Sequence, residues 1–261
     1  MAFEVNEIFS GVMHIRDAMG VCMTLLAGTE RALLVDTGYG MENVHDFVRS
    51  LTDKPLTVVL THSHHDHAMG ARWFDQVCLM NADIAAYGEF TGPKLRARVT
   101  NQAKYKGLDA DESLMTAEFP VPTLLEECVI DLGGMTAQIL SCPGHTPGSA
   151  VVYIPEYQLL LTGDDWNPCT WLFFEAALGA KEYRHNVQQL LKLPFTQVLC
   201  SHQLDLYPRE KLERFLLGLT DDALRCAKKV VILPYAHIDT RQVDLPEEQV
   251  FVFDYAKAGM D

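Results

Sequence analysis

The chain has 261 residues, 48% of them hydrophobic and 21% charged, a globular composition that excludes a disordered, collagen-like or coiled-coil protein. Acidic residues outnumber basic ones by 35 to 21, and the net charge of −14 has the wrong sign for a general binder of nucleic acid, whose phosphates need a basic surface. No uninterrupted apolar run approaches the length of a membrane span, and the opening MAFEVNEIFSGVMHIRDAMG has acids where a secretory leader needs a basic start. The seven cysteines are widely spaced and never form C-x-x-C, which suits reduced thiols and a cytoplasmic location.

From Phe3 to Asp36 the runs EVNEIF, GVMHI, GVCMTLLAG and RALLVDTG, broken by Gly and polar turns, predict consecutive antiparallel strands. Residues 41–50 place Val44, Phe47 and Val48 at helical spacing, and LTVVLTH at 56–62 predicts a buried strand ending in polar residues. Further strands are predicted at 75–80, 128–132, 136–141, 149–154 and 158–162. A helix at 181–192, a strand at 196–200, a helix at 209–227 and a last strand at 249–254 follow. No Ser/Gly or Pro linker divides the chain, so residues 1–261 are expected to form one domain. The irregular stretch 88–125 reads as an inserted helical lid. It carries Lys94, Arg96, Arg98, Lys104 and Lys106 with no acid among residues 94–106, either a solvated face or a means of steering an anionic substrate.

Thr61-His62-Ser63-His64-His65-Asp66-His67 follows an apolar strand and packs five ionisable groups into six positions, a density that core packing does not require. Neutral imidazoles and carboxylates are the donors that zinc and similar divalent metals accept, and such metals need several of them converging. His62 and His64, two apart at a strand end, can point one way, while Asp66 and His67 on the ensuing turn can face a second point nearby. Further donors stand at strand-to-loop junctions: His145 in SCPGHTPGS, Asp164 in LLLTGDD and His202 in VLCSHQ. Asp164 is the natural bridge between two ions, because a shared anion screens their repulsion.

The T-H-x-H-x-D-H run, the P-G-H-T-P-G-S histidine 78 residues after His67, the T-G-D aspartate 19 further on and a final histidine 38 beyond that resemble the metallo-β-lactamase-fold hydrolase superfamily. The resemblance implies an αββα sandwich: two mixed β-sheets packed face to face, with helices on both outer faces. It implies two zinc ions at the sandwich edge, with iron or manganese as other occupants. His62, His64 and His145 would hold the first ion, Asp66, His67 and His202 the second, and Asp164 would bridge them. In relatives the acid at Asp36, in LLVDTG, contacts a ligand histidine; a plain strand-end turn is the other reading of that residue. Ala68-Met69-Gly70 in place of a common Gly-Gly, and C-S-H-Q in place of P-G-H-G, remove no donor, and the first departs from what a specific thioesterase would be expected to carry. Lactam-cleaving relatives usually lack the bridging carboxylate, so antibiotic hydrolysis is not expected.

Two ions sharing a water bring its pKa to about 7. The expected activity is therefore hydrolysis of an ester-like bond in a small molecule (lactone, thioester, carboxylic ester or small phosphoester) by a metal-bridging hydroxide, with Asp66 or Asp164 as the catalytic proton shuttle. An iron-dependent redox enzyme on the same fold and a non-catalytic metal-binding sensor are the alternatives. Trp166, Trp171, Phe173 and Phe174 follow Asp164 and are expected either to wall the substrate pocket or to cap the core. His65 is expected to face away from the metals. His14, His45, His185 and His237 read as surface or satisfied structural groups, Cys142 and Cys200 as buried thiols, and Tyr183 and Tyr207 as packing residues. A homodimer is expected only from how commonly soluble enzymes pair; no nucleic-acid or membrane partner is expected.

Overall fold

The computed structural model describes residues 3–109 and 111–259. It opens with β1 (Phe3–Phe9), β2 (Val12–Asp17), β3 (Cys22–Ala27) and β4 (Ala32–Val35), an antiparallel meander. Helix α1 (Val44–Leu51), capped by the Asn43 side chain, crosses to β5 (Leu56–Val59), which runs parallel to β4. The short α2 (His65–Ala68), β6 (Cys78–Met80), α3 (Asn81–Phe90) and α4 (Pro93–Tyr105) follow, and β7 (Thr123–Leu125) completes a sheet ordered β1 to β7.

β8 (Cys128–Asp131), β9 (Thr136–Ser141), β10 (Ala150–Ile154) and β11 (Leu159–Leu161) build a second sheet. β12 (Cys169–Leu172) leaves it. α5 (Ala180–Leu190) then leads to β13 (Gln197–Leu199), parallel to β11, and β14 (Tyr207–Pro208) closes that edge. After α6 (Arg209–Gly218) and α7 (Asp221–Arg225), β15 (Lys228–Lys229), β16 (Thr240–Leu245) and β17 (Gln249–Asp254) join β12 in a smaller sheet ordered β12-β17-β16-β15.

Alternation along the strands explains the layers. Leu26, Leu33, Val35 and Val59 of the first sheet meet Ile139, Val152, Ile154 and Leu161 of the second. Their sequence neighbours Leu25, Leu34 and Val58 point the other way, under Val44 and Val48 of α1. Both faces of these strands are covered, which is why they read as unbroken apolar runs. The outer face of the second sheet, with Val151, Leu160 and Val198, lies in one cluster with Val187 of α5, Phe215 of α6 and Phe251 and Phe253 of β17. The αββα sandwich is the architecture found.

Several details differ from expectation. The helix expected at 209–227 is two helices, because the chain leaves helical geometry at Leu219 and Thr220 re-caps it for α7. The smaller sheet was foreseen only in its last strand. The stretch 88–125 holds α4 and also β7, a strand of the first sheet. All seven cysteines are free, and among the described residues no helix is long and apolar enough to cross a membrane.

Gly70 is fixed by space rather than by backbone freedom: a Cβ there would lie 2.0 Å from the Thr37 carbonyl oxygen, beside Asp36. Gly70→Ala is expected to destabilise the fold by about 2 kcal/mol or more, since backbone must shift to admit the methyl. A denaturation midpoint equal to that of the parent chain would contradict this.

Candidate metal centre

Strand pairing brings the donor-bearing loops to one edge of the sandwich. β4 and β5 run parallel with Val35 level with Val59, so the Asp36 turn and the His62–His67 loop leave side by side. β11 and β13 do the same on the second sheet, with Leu161 level with Leu199, delivering Asp164 and His202. His145 lies in the loop joining β9 to β10. The loops at the carboxyl ends of parallel strands are the usual place for a site in such sheets.

All seven donors singled out in the sequence meet here. Ligand atoms of His62, His64 and His145 lie within 4.8 Å of one another, as do those of His62, His67 and Asp164, and those of Asp66, His67 and His202. Nε2 of His145 is 2.8 Å from Nδ1 of His64. Asp164 Oδ2 stands at the centre, 3.0 Å from His202 Nε2, 3.5 Å from His67 Nε2 and 3.6 Å from His145 Nε2. Asp66 Oδ2 is 3.8 Å from Nε2 of both His67 and His202.

Hydrogen bonds behind the cluster assign the ring nitrogens. His67 Nδ1–H donates to Asp36 Oδ2 at 2.9 Å, and His145 Nδ1–H donates to the Trp171 carbonyl at 2.7 Å. His62 Nδ1–H donates to Thr61 Oγ1 at 3.0 Å, while the Thr61 hydroxyl donates to Asp36. Asp36 therefore orients His67 directly and His62 through one hydroxyl, and these imidazoles turn their Nε2 atoms toward the common space. Asp36 holds a left-handed conformation, φ 64°, which aspartate tolerates better than most residues. It is more than a strand-end turn.

The donor set fits divalent cations. His62 Nε2, His67 Nε2 and Asp164 Oδ1 are buried without a hydrogen-bond partner, an arrangement that is costly unless something occupies the space between them. Burial, then the neighbouring imidazoles, push His62 and His64 well below the ordinary histidine range, and burial lowers His145. These rings stay neutral and keep a lone pair for a metal. Burial opposes protonation of His67 and His202 as well, but Asp164 and the adjacent carboxylates outweigh it and hold both above the ordinary value.

Two further carboxylates brace the loops and carried no signal in the sequence. Asp83, buried on α3, accepts from Ser63 N at 2.8 Å, Thr146 Oγ1 at 2.9 Å and Gly148 N at 2.8 Å, tying the His62–His67 loop to the His145 loop. Asp165 accepts from His145 N at 3.0 Å.

Trp171 and Phe174 line a cavity of about 450 Å³ that opens onto His64, His145 and Asp164. Trp166 and Phe173 do not line it, which corrects their placement in a substrate pocket. Both are 0% exposed. Trp166 packs edge-on against Tyr207 and Phe215 in the core beneath the second sheet, and Phe173, just past β12, is buried behind the wall against Trp171, Phe174 and Tyr235, whereas Trp171 is 38% exposed. His65 also reaches the cavity wall, 3.7 Å from Asp66 and edge-on to Tyr39. His14 is a satisfied buried group between Thr24 Oγ1 and the Gln203 carbonyl. Cys142, Cys200 and Tyr183 are buried.

Residues 17–195 match the family described as the metallo-beta-lactamase superfamily. The chain belongs to the metallo-beta-lactamase superfamily. Among curated proteins it is 27% identical to the acyl-coenzyme A thioesterase MBLAC2 of Gallus gallus, over 78% of this chain and 79% of that one. It spans 60% of the length of the Bos taurus and Homo sapiens proteins of that name. It is 29% identical to hydroxyacylglutathione hydrolase of Pseudomonas aeruginosa, over 75% of this chain and 64% of that one.

A metallo-beta-lactamase family protein of Thermus thermophilus shares the fold with a TM-score of 0.59 and 20% identity, over 84% of this chain and 82% of that one. The sec-alkylsulfatase Pisa1 from Pseudomonas sp. does so with a TM-score of 0.62 and 17% identity, but this chain spans only 41% of its length while 84% of this chain is covered. The superfamily match ends before His202, whose place at the centre is fixed here by geometry.

The hydrogen bonds and charges around the cluster can be tested separately. Asp36→Asn keeps a side chain that accepts the left-handed backbone but removes the charge behind His67, so metal affinity is expected to fall about 10- to 100-fold in a chelator-competition titration. Cations must also displace the protons that the carboxylates hold on His67 and His202. Because both are raised above the ordinary value of about 6.5, affinity should weaken by at least about tenfold per pH unit, and up to about a hundredfold where both carry protons, already on going from pH 8 toward 6.5. A flat profile across that window would refute the charge assignment.

Proposed function

We propose that this protein is a hydrolase that holds two divalent cations, zinc foremost, and cleaves the carboxylic thioester or ester bond of a small molecule. The observation that carries the reading is the position of Asp164 Oδ2, within 3.6 Å of imidazole nitrogens from both sides of the cluster. His62, His64 and His145 would hold one cation, Asp66, His67 and His202 the other, and Asp164 would bridge. Such a pair supplies, when bound, the Lewis acidity that activates water near neutral pH and polarises a scissile carbonyl.

The chain's own residues do the rest. Asp66 is ionised at neutral pH: burial opposes this, but His67, His65 and His202 bring its carboxyl down to about 2. Asp66, or Asp164 through its unpartnered Oδ1, would take the proton that the attacking water loses and pass it to the leaving group. Phe90, Trp171, Phe174 and Tyr235 on the cavity wall exclude water and receive an apolar acyl group. The thioesterase and hydroxyacylglutathione hydrolase names of the relatives support a thioester ahead of a phosphoester. The seven free thiols support a reducing compartment such as the cytoplasm.

The test is a panel of acyl thioester, aryl ester, lactone and phosphodiester offered to zinc-loaded protein, with a chelator control and elemental analysis of protein purified without added metal. Thioester or ester turnover is expected to be fastest and to vanish on chelation. Asp164→Ala and His64→Ala are each expected to lose metal and at least about a hundredfold in rate. Full metal content with full turnover in either variant would overturn the ligand assignment, and native iron with oxygen consumption would establish redox chemistry instead.

A further inference from the structure

The two ends of the cavity differ in kind. At one end Phe90 and Phe174 stand edge-on to His64, with ring centroids 4.5 and 4.8 Å away, and Trp171 and Tyr235 extend the apolar wall. At the other, Tyr39 meets His65, and Arg98 and Gln102 of α4 face in. From there the cavity runs into a neighbouring groove that shares Tyr39, Arg98 and Gln102 and adds Asn101 and Lys106.

The basic stretch of α4 divides by role. Arg96 is structural: it donates to the Thr91 and Ala117 carbonyls and lies over the Phe119 ring. Lys104 pairs with Glu112, Lys106 donates to the Met19 carbonyl, and Lys94 is exposed. Arg98 is half-buried in the cavity wall and has no ion pair or hydrogen bond among the described residues. Its direction is fixed, because Val99 and Ala103 are buried with Leu114 on another face of the helix, while Leu95, Arg98 and Gln102 share the stripe toward the cavity. A chain of net charge −14 has acids in plenty, yet places none against this guanidinium. A half-desolvated arginine with its planar donors free is suited to a carboxylate or phosphate arriving from outside.

We propose that Arg98 forms an anion subsite at the mouth of the cavity, so that the substrate carries a carboxylate or phosphate on the leaving-group side, opposite an apolar acyl group. This rests on the hydrolase reading for which part of the substrate leaves, but the subsite itself is testable by binding alone. The probes are three non-hydrolysable thioethers with the same alkyl chain, ending in an alcohol, a carboxylate or a phosphate, titrated calorimetrically into the metal-loaded protein. The parent chain is expected to prefer at least one anionic probe over the alcohol by about tenfold, and the stronger of the two identifies the group.

Arg98→Gln should abolish that preference, Arg98→Lys should keep part of it, and Lys94→Gln, on the exposed side of the same helix, should leave it intact. Equal binding of all three probes by the parent chain, or an undiminished preference in Arg98→Gln, overturns the proposal. If the preference behaves as expected while no ester or thioester is cleaved, the subsite stands and the hydrolase reading falls.

Discussion

The structure is organised around the cost of bringing five imidazoles and two carboxylates into one buried place. Ionisable groups taken out of water need partners of opposite charge or a metal, and the chain supplies these in rings. Inside, Asp164 and Asp66 face His67 and His202. Outside, Asp36 and the Trp171 carbonyl take the nitrogens that turn away. The cluster splits accordingly into rings that burial pushes toward the neutral form and rings whose protonation the carboxylates favour. That split is what a cation would use and reverse.

Rigidity comes from the sheets and from the buried carboxylates. Parallel pairing at β4–β5 and β11–β13 sets four of the loops level, so no loop has to be long to reach the others. Asp83 then joins two loops that lie on different sheets, and Gly148 permits this because a Cβ there would sit 2.7 Å from Asp83. Donors held in this way lose little further freedom when a ligand arrives.

Much of this was legible in the sequence. The runs of β3 and β4 are almost wholly apolar because both faces are buried, and T-H-S-H-H-D-H is too dense in donors for any other reading of the residues to compete. The positions of Trp166 and Phe173 were not legible, since a wall and a core are built from the same aromatic residues and only the turn after Asp164 decides which way each ring points. Asp83 was hidden because its partners lie 20, 63 and 65 residues away. The smaller sheet escaped because β12 spans only Cys169–Leu172, β15 only Lys228–Lys229, and β16, TRQVDL, offers just two apolar residues and no regular alternation. The basic stretch of α4 could not be resolved either: its spacing says which residues share a stripe, and only packing says which stripe turns inward.

β12 carries the carbonyl that receives His145 Nδ1, and β12 is paired in parallel with β17, Trp171 level with Val252. The strand nearest the C-terminus thus buttresses a histidine more than a hundred positions earlier, although it lies outside the stretch that matches the superfamily. The tail of the chain is in this sense a strut of the reactive centre, and sequence drift there would be felt first as a change in the tilt of one imidazole.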